Sequence, residues 1–341
     1  MAGLDDRKEQ VLRAVVVDYT TTAIPVGSQA LADRLARWSS ATIRNELAHL
    51  METGHLQQPH TSSGRVPSPL GYRYFVDYLM EEGSVERRLQ DDYQSFFAAL
   101  PLDIEAILEG TALILARAAD SVGVVSAPRT SSSRLKYVNL VHLEGARILA
   151  LVVLEGNMVR QQPLELPEML EQPRLDAFSN RLNEGLKGLD TEEVEALIHQ
   201  PTLEDWQVAV VQGIVSVMTA YDEQSARVIV HDGVRNLVKQ PEFLEPGRLM
   251  PVLELLEESR QLARVLESLD PGEQLSVVIG DENPDSHLRD CTVVLTTYSA
   301  PGGVTGTMGT IGPTRIRYPE VVAKVRYIAR LAGESLGRLY A

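Results

Sequence analysis

Residues 28–67 read SQALADRLARWSSATIRNELAHLMETGHLQQPHTSSGRVP, in which a helical pattern gives way to an extended one. Ser28 can cap a first helix, and a four-residue corner, Arg37–Ser40, separates it from a second. The second helix carries apolar residues at helical spacings of four and three, and Gly54 ends it. Its buried positions are expected to be Ile43, Leu47 and Leu50. The pattern predicts two helices joined by a tight corner, with a polar outward face on the second.

An extended hairpin follows, and helices flank the whole segment. Pro59 and Pro67 disfavour helix in HLQQPHTSSGRVPS and suit edge strands around a tip rich in serine and glycine. A helix is expected from about Asp5 to Thr20, and Ser68 ahead of Pro69 is typical of the start of another. Three helices and a hairpin predict a compact winged helix-turn-helix domain over residues 1–80.

Polar side chains at the start of the second helix and at the hairpin tip are candidates for DNA binding. In helix-turn-helix proteins the first residues of the second helix reach base edges in the major groove. Arg44 can pair bidentately with guanine and Asn45 with adenine, whereas Arg65 suits phosphate or a narrow minor groove. Any helical hairpin exposes polar residues, so a solvated surface is the alternative. The full expected set is Ser28, Gln29, Ser39, Ser40, Thr42, Arg44, Asn45, His60, Thr61, Ser62, Ser63, Gly64, Arg65, Tyr72 and Arg73.

The charge distribution is compatible with DNA binding at one end of the molecule. The 341 residues carry a formal net charge of -15, but residues 1–80 hold eight basic and eight acidic side chains. The acidic excess therefore lies in residues 81–341, where it would repel DNA. One cysteine, a charged N-terminus and no apolar run of about 18 residues predict a cytoplasmic protein without membrane association.

The remainder of the chain predicts a multidomain α+β protein. Residues 81–101 are expected to form a linker to a helix that starts near Ile104. Strand patterns then give way to a mostly helical stretch and return near the C-terminus, which indicates one discontinuous domain with another inserted in it. The expected boundaries are 102–163 with 250–341 for the discontinuous domain and 164–249 for the insert.

No catalytic, cofactor or metal site is expected from the residue pattern. His49, His55 and His60 lack the closed set of ligands that structural zinc requires. Cys291 begins an apolar strand and should be a buried small hydrophobe. The glycine-rich residues 302–312 contain neither GxGxxG nor GxxxxGK[ST], so a turn at a sheet edge is favoured over a phosphate site. We therefore expect a protein that is not an enzyme.

Long motifs at both ends of the chain resemble the HrcA family of heat-shock repressors. These motifs are PVGSQAL, SSATIRNELAHL, PHTSSGRVPSPLGYRYFVDYL and GTIGPTRIRYPEVVAKVRYIA. The departures from the family pattern, which affect none of the expected base-reading residues, are Leu47, Ser63, Ser68 and Ile316. The resemblance implies a winged helix, a GAF-like domain and an inserted dimerisation domain. It also implies a homodimer that represses chaperone operons at an inverted-repeat operator called CIRCE, with the GroE chaperonin keeping the repressor active.

Two other functions stay open at this stage. A metabolite-responsive winged-helix regulator would use the GAF-like fold as a ligand pocket, and a small molecule would then change operator affinity. An enzyme built on the middle and C-terminal domains is disfavoured by the missing nucleophile, metal and phosphate motifs, and a positive activity screen would revive it.

Overall fold

The computed structural model describes residues 4–60, 63–81, 83–130, 133–155, 158–199, 203–225, 229–269, 275–301 and 304–340. They fall into two compact units. The first is drawn from Met1–Ser126, Ile229–Ser299 and Thr307–Leu339, and the second from Ala127–Val228, Ala300–Gly306 and Tyr340–Ala341. The chain is thus a multidomain α+β protein, as predicted.

The first unit begins with helices and a short hairpin. Local sequence sets the helix limits: the hydroxyls of Ser39 and Ser68 accept backbone hydrogen bonds at two helix starts, and Gly54 adopts φ +78° just after the third helix. These features agree with the predicted limits. The helix that begins at Ser28, however, has Gly27 as its N-cap, where the sequence suggested Ser28. The elements are α1 (Asp6–Thr22), α2 (Ser28–Leu35), α3 (Ser40–Glu52), β1 (Leu56–Gln57), β2 (Val66–Pro67), α4 (Pro69–Tyr74) and a π-helical turn (Phe75–Leu79).

The predicted linker contains a helix, α5 (Arg87–Ala99), which precedes α6 (Ile104–Ala119). Tyr93 and Phe97 of α5 are buried, and the Tyr93 ring lies 6.3 Å from that of Tyr327. The sequence favoured a linker because residues 81–92, which precede these two buried side chains, are mostly polar.

A mostly antiparallel sheet forms the centre of the first unit. Its strand order is β8 (Ile229–Asp232), β3 (Val122–Ser126), β11 (Val304–Pro313), β10 (Cys291–Ala300) and β9 (Ser276–Ile279). One face of β3, carrying Val122 and Val124, packs into a core with Phe243 and Leu262. On the other face, a Cβ at Gly123 would lie 2.2 Å from the carbonyl oxygen of Ala112, so α6 approaches closely. The helices are α10 (Val234–Val238), α11 (Pro246–Glu257), α12 (Ser259–Ser268) and α13 (Tyr318–Tyr340). The short strand β4 (Arg129–Thr130), which pairs with the first residues of β11, falls among the residues of the second unit.

Two sequence expectations are settled by this sheet. Cys291 is fully buried at the start of β10, as predicted, and burial raises the pKa of its thiol. The glycine-rich residues from 304 to 312 form an inner strand instead of an edge turn. A Cβ at Gly309 would lie 1.8 Å from the carbonyl oxygen of Val294, so the glycine permits close approach of β10.

The second unit is a three-stranded antiparallel meander covered on one face by helices. The strands are amphipathic, with Val138, Ala150 and Val152 buried against Leu175 and Ile214 of the helices. The elements are β5 (Leu135–His142), β6 (Arg147–Leu154), β7 (Met158–Glu165), α7 (Gln172–Leu186), α8 (Thr191–Ala196) and α9 (Asp205–Ser225).

The limits of this unit differ from those predicted for the insert. The sequence pattern separated residues 164–249, whereas the longest segment of the compact unit is residues 127–228. The difference arises because β5, β6 and β7 share a core with α7 and α9, so strands assigned to the discontinuous domain belong with the helices that follow them. Within the described residues, no helix is long and apolar enough to cross a membrane.

Candidate nucleic-acid interface

Hydroxyl groups meet where α2 and α3 begin. The Oγ atoms of Ser28 and Ser40 lie 3.4 Å apart. Ser39 Oγ accepts a 3.2 Å hydrogen bond from the backbone nitrogen of Thr42 and lies 3.0 Å from its Oγ1. Two separate stretches of the expected set, Ser28 and Ser39–Thr42, are therefore neighbours at the starts of α2 and α3.

The outward face of α3 carries the two expected base-reading side chains. Arg44 and Asn45 are both exposed, while Ile43 and Leu47 on the opposite face are buried. Gln29, on α2, is also exposed and donates a 2.9 Å hydrogen bond to Asp33. Because Ile43 and Leu47 make the packing contacts of α3, the exposed side chains of Arg44 and Asn45 can meet a ligand.

The hairpin is joined to the chain just before α2. Val26 and Arg65 exchange two backbone hydrogen bonds of 2.8 Å, which adds a bridge beside β1 and β2. A Cβ at Gly64 would lie 2.6 Å from the backbone of Pro25, so only glycine fits there without displacement. The bridge places the hairpin beside Ser28.

The side chains near the hairpin tip are partly held by local hydrogen bonds. Ser63 Oγ donates to the carbonyl oxygen of His60 at 2.7 Å and accepts from its backbone nitrogen at 3.0 Å. Arg65 Nη1 donates to the carbonyl oxygen of Ser63 at 3.2 Å, and its buried Nε has no hydrogen-bond partner among the described residues. Thr61 and Ser62, also expected in this set, lie outside the described residues.

Tyr72, expected on this surface, is instead buried, and Arg73 is held by ion pairs. Tyr72 is 2% exposed, its ring lies 5.5 Å from that of Tyr318, and burial raises the pKa of its hydroxyl. Arg73 donates through Nε to Glu282 at 2.8 Å and through Nη1 to Asp77 at 3.1 Å. These contacts hold α4 against residues near β9, and the ion pair with Glu282 raises the pKa of Arg73.

A second arginine joins the N-terminal helices to the rest of the first unit. Arg315 donates through Nε to Glu242 at 2.6 Å, through Nη2 to Gln240 at 3.0 Å and through Nη1 to the carbonyl oxygen of Thr20 at 3.3 Å. We use the term junction for the hydrogen bonds of Arg73 and Arg315 together with the ring contact of Tyr72 with Tyr318. In the sequence, Arg315 lies in the segment TRIRYPE, and the residues around it do not indicate which distant residues it binds.

The histidines do not form a metal site in the described part of the chain, where no group of three or more histidine, cysteine or acidic side chains is placed to hold an ion. His55 is buried, its Nδ1 lies 3.0 Å from Thr53 Oγ1, and its ring meets that of Tyr74 edge-on at 5.4 Å. Burial, with a smaller effect of His49, lowers the pKa of His55. His55 is therefore a packing residue under the hairpin.

Comparison with known proteins identifies the family. Residues 105–322 match the family model described as HrcA protein C terminal domain. This chain belongs to the HrcA family. A heat-inducible transcription repressor HrcA from Herpetosiphon aurantiacus is 34% identical, with 99% of this chain and 96% of the relative covered. Another from Pelotomaculum thermopropionicum is 34% identical, with 98% of each covered. Both alignments include the N-terminal residues that precede the HrcA C-terminal match.

A solved structure shares the fold of this HrcA family member. A crystal structure described only as that of a hypothetical protein at 2.2 Å resolution has a TM-score of 0.61 and 23% sequence identity. The similarity covers 99% of this chain and 100% of that one.

Proposed function

We propose that this protein represses heat-shock chaperone operons by binding a CIRCE-type inverted repeat as a homodimer. Membership of the HrcA family, whose relatives are named heat-inducible transcription repressors over nearly the full chain, carries the proposal. The exposed polar set on α2, α3 and the hairpin supports it at the level of residues.

In this proposal residues 1–80 act as a winged helix. The α3 helix enters the major groove, where Arg44 and Asn45 read base edges. The hairpin that pairs through Val26 and Arg65 is the wing, and it contacts the backbone or minor groove. Ser28 and Ser40, with Oγ atoms 3.4 Å apart, serve as a joint phosphate contact at the two helix starts.

The outer face of the second unit supports a homodimer. Cross-strand register aligns its side chains in three rows, and seven of the nine are apolar. Tyr137 and Val159 are 49% and 53% exposed. An apolar sheet face of this kind is buried most simply against the same face of a second copy in C2 symmetry. The rows are Val141–Leu149–Pro163, Asn139–Leu151–Gln161 and Tyr137–Val153–Val159.

The outer face places the proposed dimer contact at an earlier part of the sequence than expected. The resemblance implies dimerisation through the insert, expected at residues 164–249, whereas the apolar rows lie on residues 137–163. One winged helix buries too little surface for tight specific binding at physiological salt, so two heads on one inverted repeat are needed.

Regulation is proposed to act through the orientation of the two heads. The junction, with Arg73 and Arg315, joins α4 and the end of α1 to the rest of the first unit. A partly open junction lowers the competent fraction and with it the apparent operator affinity. The GroE chaperonin restores that fraction, so that misfolded clients of the chaperonin would release the genes.

The experiment is a gel shift with a duplex that carries the inverted repeat and with a shuffled duplex of equal composition. We expect specific binding that falls on mild warming and recovers with GroE and ATP. Equal affinity for both duplexes at all temperatures would overturn the proposal. Binding unaffected by GroE would remove the chaperonin from it.

A cavity favours one second candidate, a metabolite-responsive regulator. The cavity, of about 420 Å³, lies beside the end of α1 and is lined by Thr20, Arg117, Arg315 and Lys324 among others. That volume suits a small polar ligand. This candidate would replace GroE control if a small molecule, and not the chaperonin, restored operator binding.

A further inference from the structure

The corner between α2 and α3 carries two arginines around one tryptophan. Trp38 immediately precedes Ser39, the N-cap of α3. The Cζ atoms of Arg37 and Arg7 each lie 5.9 Å from the centre of the Trp38 ring. These distances are within the range of cation–π attraction, so the indole helps to hold both guanidinium groups at the corner.

The two arginines differ in how far their charge is already balanced. Arg7 Nη1 lies 3.4 Å from Glu46 Oε1, and Glu46 also lies 3.5 Å from the ammonium group of Lys8. Arg37 is exposed, and within the described residues it has no carboxylate within 4.0 Å. Arg37 is therefore the uncompensated cation of this group, which we call the corner cluster.

The corner cluster adjoins the surface proposed to meet DNA. Ser39 and Ser40 directly follow Trp38, and Ser40 Oγ lies 3.4 Å from Ser28 Oγ. A guanidinium held near the face of an aromatic ring has less rotational freedom to lose when it binds an anion. A planar, fork-shaped donor in this position matches a phosphodiester oxygen pair.

We propose that Arg37, held against Trp38, contacts a phosphate of the operator backbone beside α3, with Arg7 supporting the indole. The inference rests on the proposed function and extends it. Because a phosphate contact carries no sequence information, Arg37 contributes to affinity and orientation on the duplex and not to base discrimination.

The first test uses Trp38 as its own reporter. The chain has two tryptophans, and Trp206 is buried in the second unit at 3% exposure. Trp206→Phe keeps an aromatic ring against Phe178 and leaves Trp38 as the single indole. We expect its emission to change on addition of the inverted-repeat duplex and of the shuffled duplex, each in step with binding measured by anisotropy of labelled DNA. In Trp38→Phe, the DNA-dependent emission change of the parent should vanish.

The second test measures salt dependence. Arg37→Ala should reduce the slope of log K against log salt by about 0.9 for each head that engages DNA, and weaken both duplexes by similar factors. Arg174→Ala is the matched control, because Arg174 lies 5.5 Å from the Trp206 ring in the second unit. Its slope should equal that of the parent.

The outcomes separate the inference from the function on which it rests. Specific operator binding with an unchanged slope in Arg37→Ala and unchanged Trp38 emission would overturn the inference and leave the function standing. A parent protein that binds neither duplex would overturn the proposed function and the inference together.

Discussion

Replacing Arg315 with methionine tests whether the junction stabilises the first unit. The Arg315 and Glu242 side chains are only 11% and 16% exposed, and the guanidinium donates to Glu242, Gln240 and the Thr20 carbonyl. Arg315→Met keeps the aliphatic bulk but leaves the Glu242 carboxylate without its cation. Breaking a buried pair typically costs 3–5 kcal/mol, and the residual hydration here favours the lower end, about 3 kcal/mol.

The assay is urea unfolding followed by circular dichroism, with the shift in midpoint read at constant m. Adding Glu242→Gln removes the unpaired charge and should recover about 1–2 kcal/mol. Arg317→Met is the control, since Arg317 pairs with Glu320 at 3.2 Å while both side chains are about half exposed, and such pairs contribute about 0.2–1 kcal/mol. A loss below about 1 kcal/mol for Arg315→Met, or a double variant no more stable than the single one, would refute this reasoning.

Three further outcomes are expected. Arg44→Ala and Asn45→Ala should each reduce discrimination between operator and shuffled DNA by about 1–3 kcal/mol, whereas Arg65→Ala weakens both duplexes evenly; competition gel shifts measure the ratio. Leu151→Asp, in the middle row of the outer face of β5–β7, should yield monomers in sedimentation, and an unchanged dimer would place the interface elsewhere. Burial lowers the pKa of His55, so below about pH 6.5 the unfolded chain binds a proton that the folded protein does not. Thermal stability should therefore fall as pH decreases from about 6.5, and His55→Gln should have a shallower dependence; an equal slope in both would contradict the assignment.

Local chemistry explains why much of the N-terminal region could be predicted. Capping by Ser39 and Ser68 and the positive φ of Gly54 depend on a few neighbouring residues, and the apolar spacing of α3 determines its buried face. The same pattern left Arg44 and Asn45 on the outward face, where the structure has them exposed. Periodicity and capping need no distant partner, so the sequence alone was sufficient.

Long-range packing decided the rest. Tyr72 and Arg73 are ordinary polar residues of α4 in the sequence, and only the proximity of Tyr318 and Glu282, more than 200 residues away, buries the one and pairs the other. Likewise, β5–β7 have an alternating pattern that suits either domain, and their limits at 127–228 follow from which helices cover them. The sequence by itself determined the helices, the hairpin and the polar face of α3, because those depend on local interactions. Which side chains are buried at the junction, and which strands share a core, depends on contacts between distant segments, and these only the tertiary structure decided.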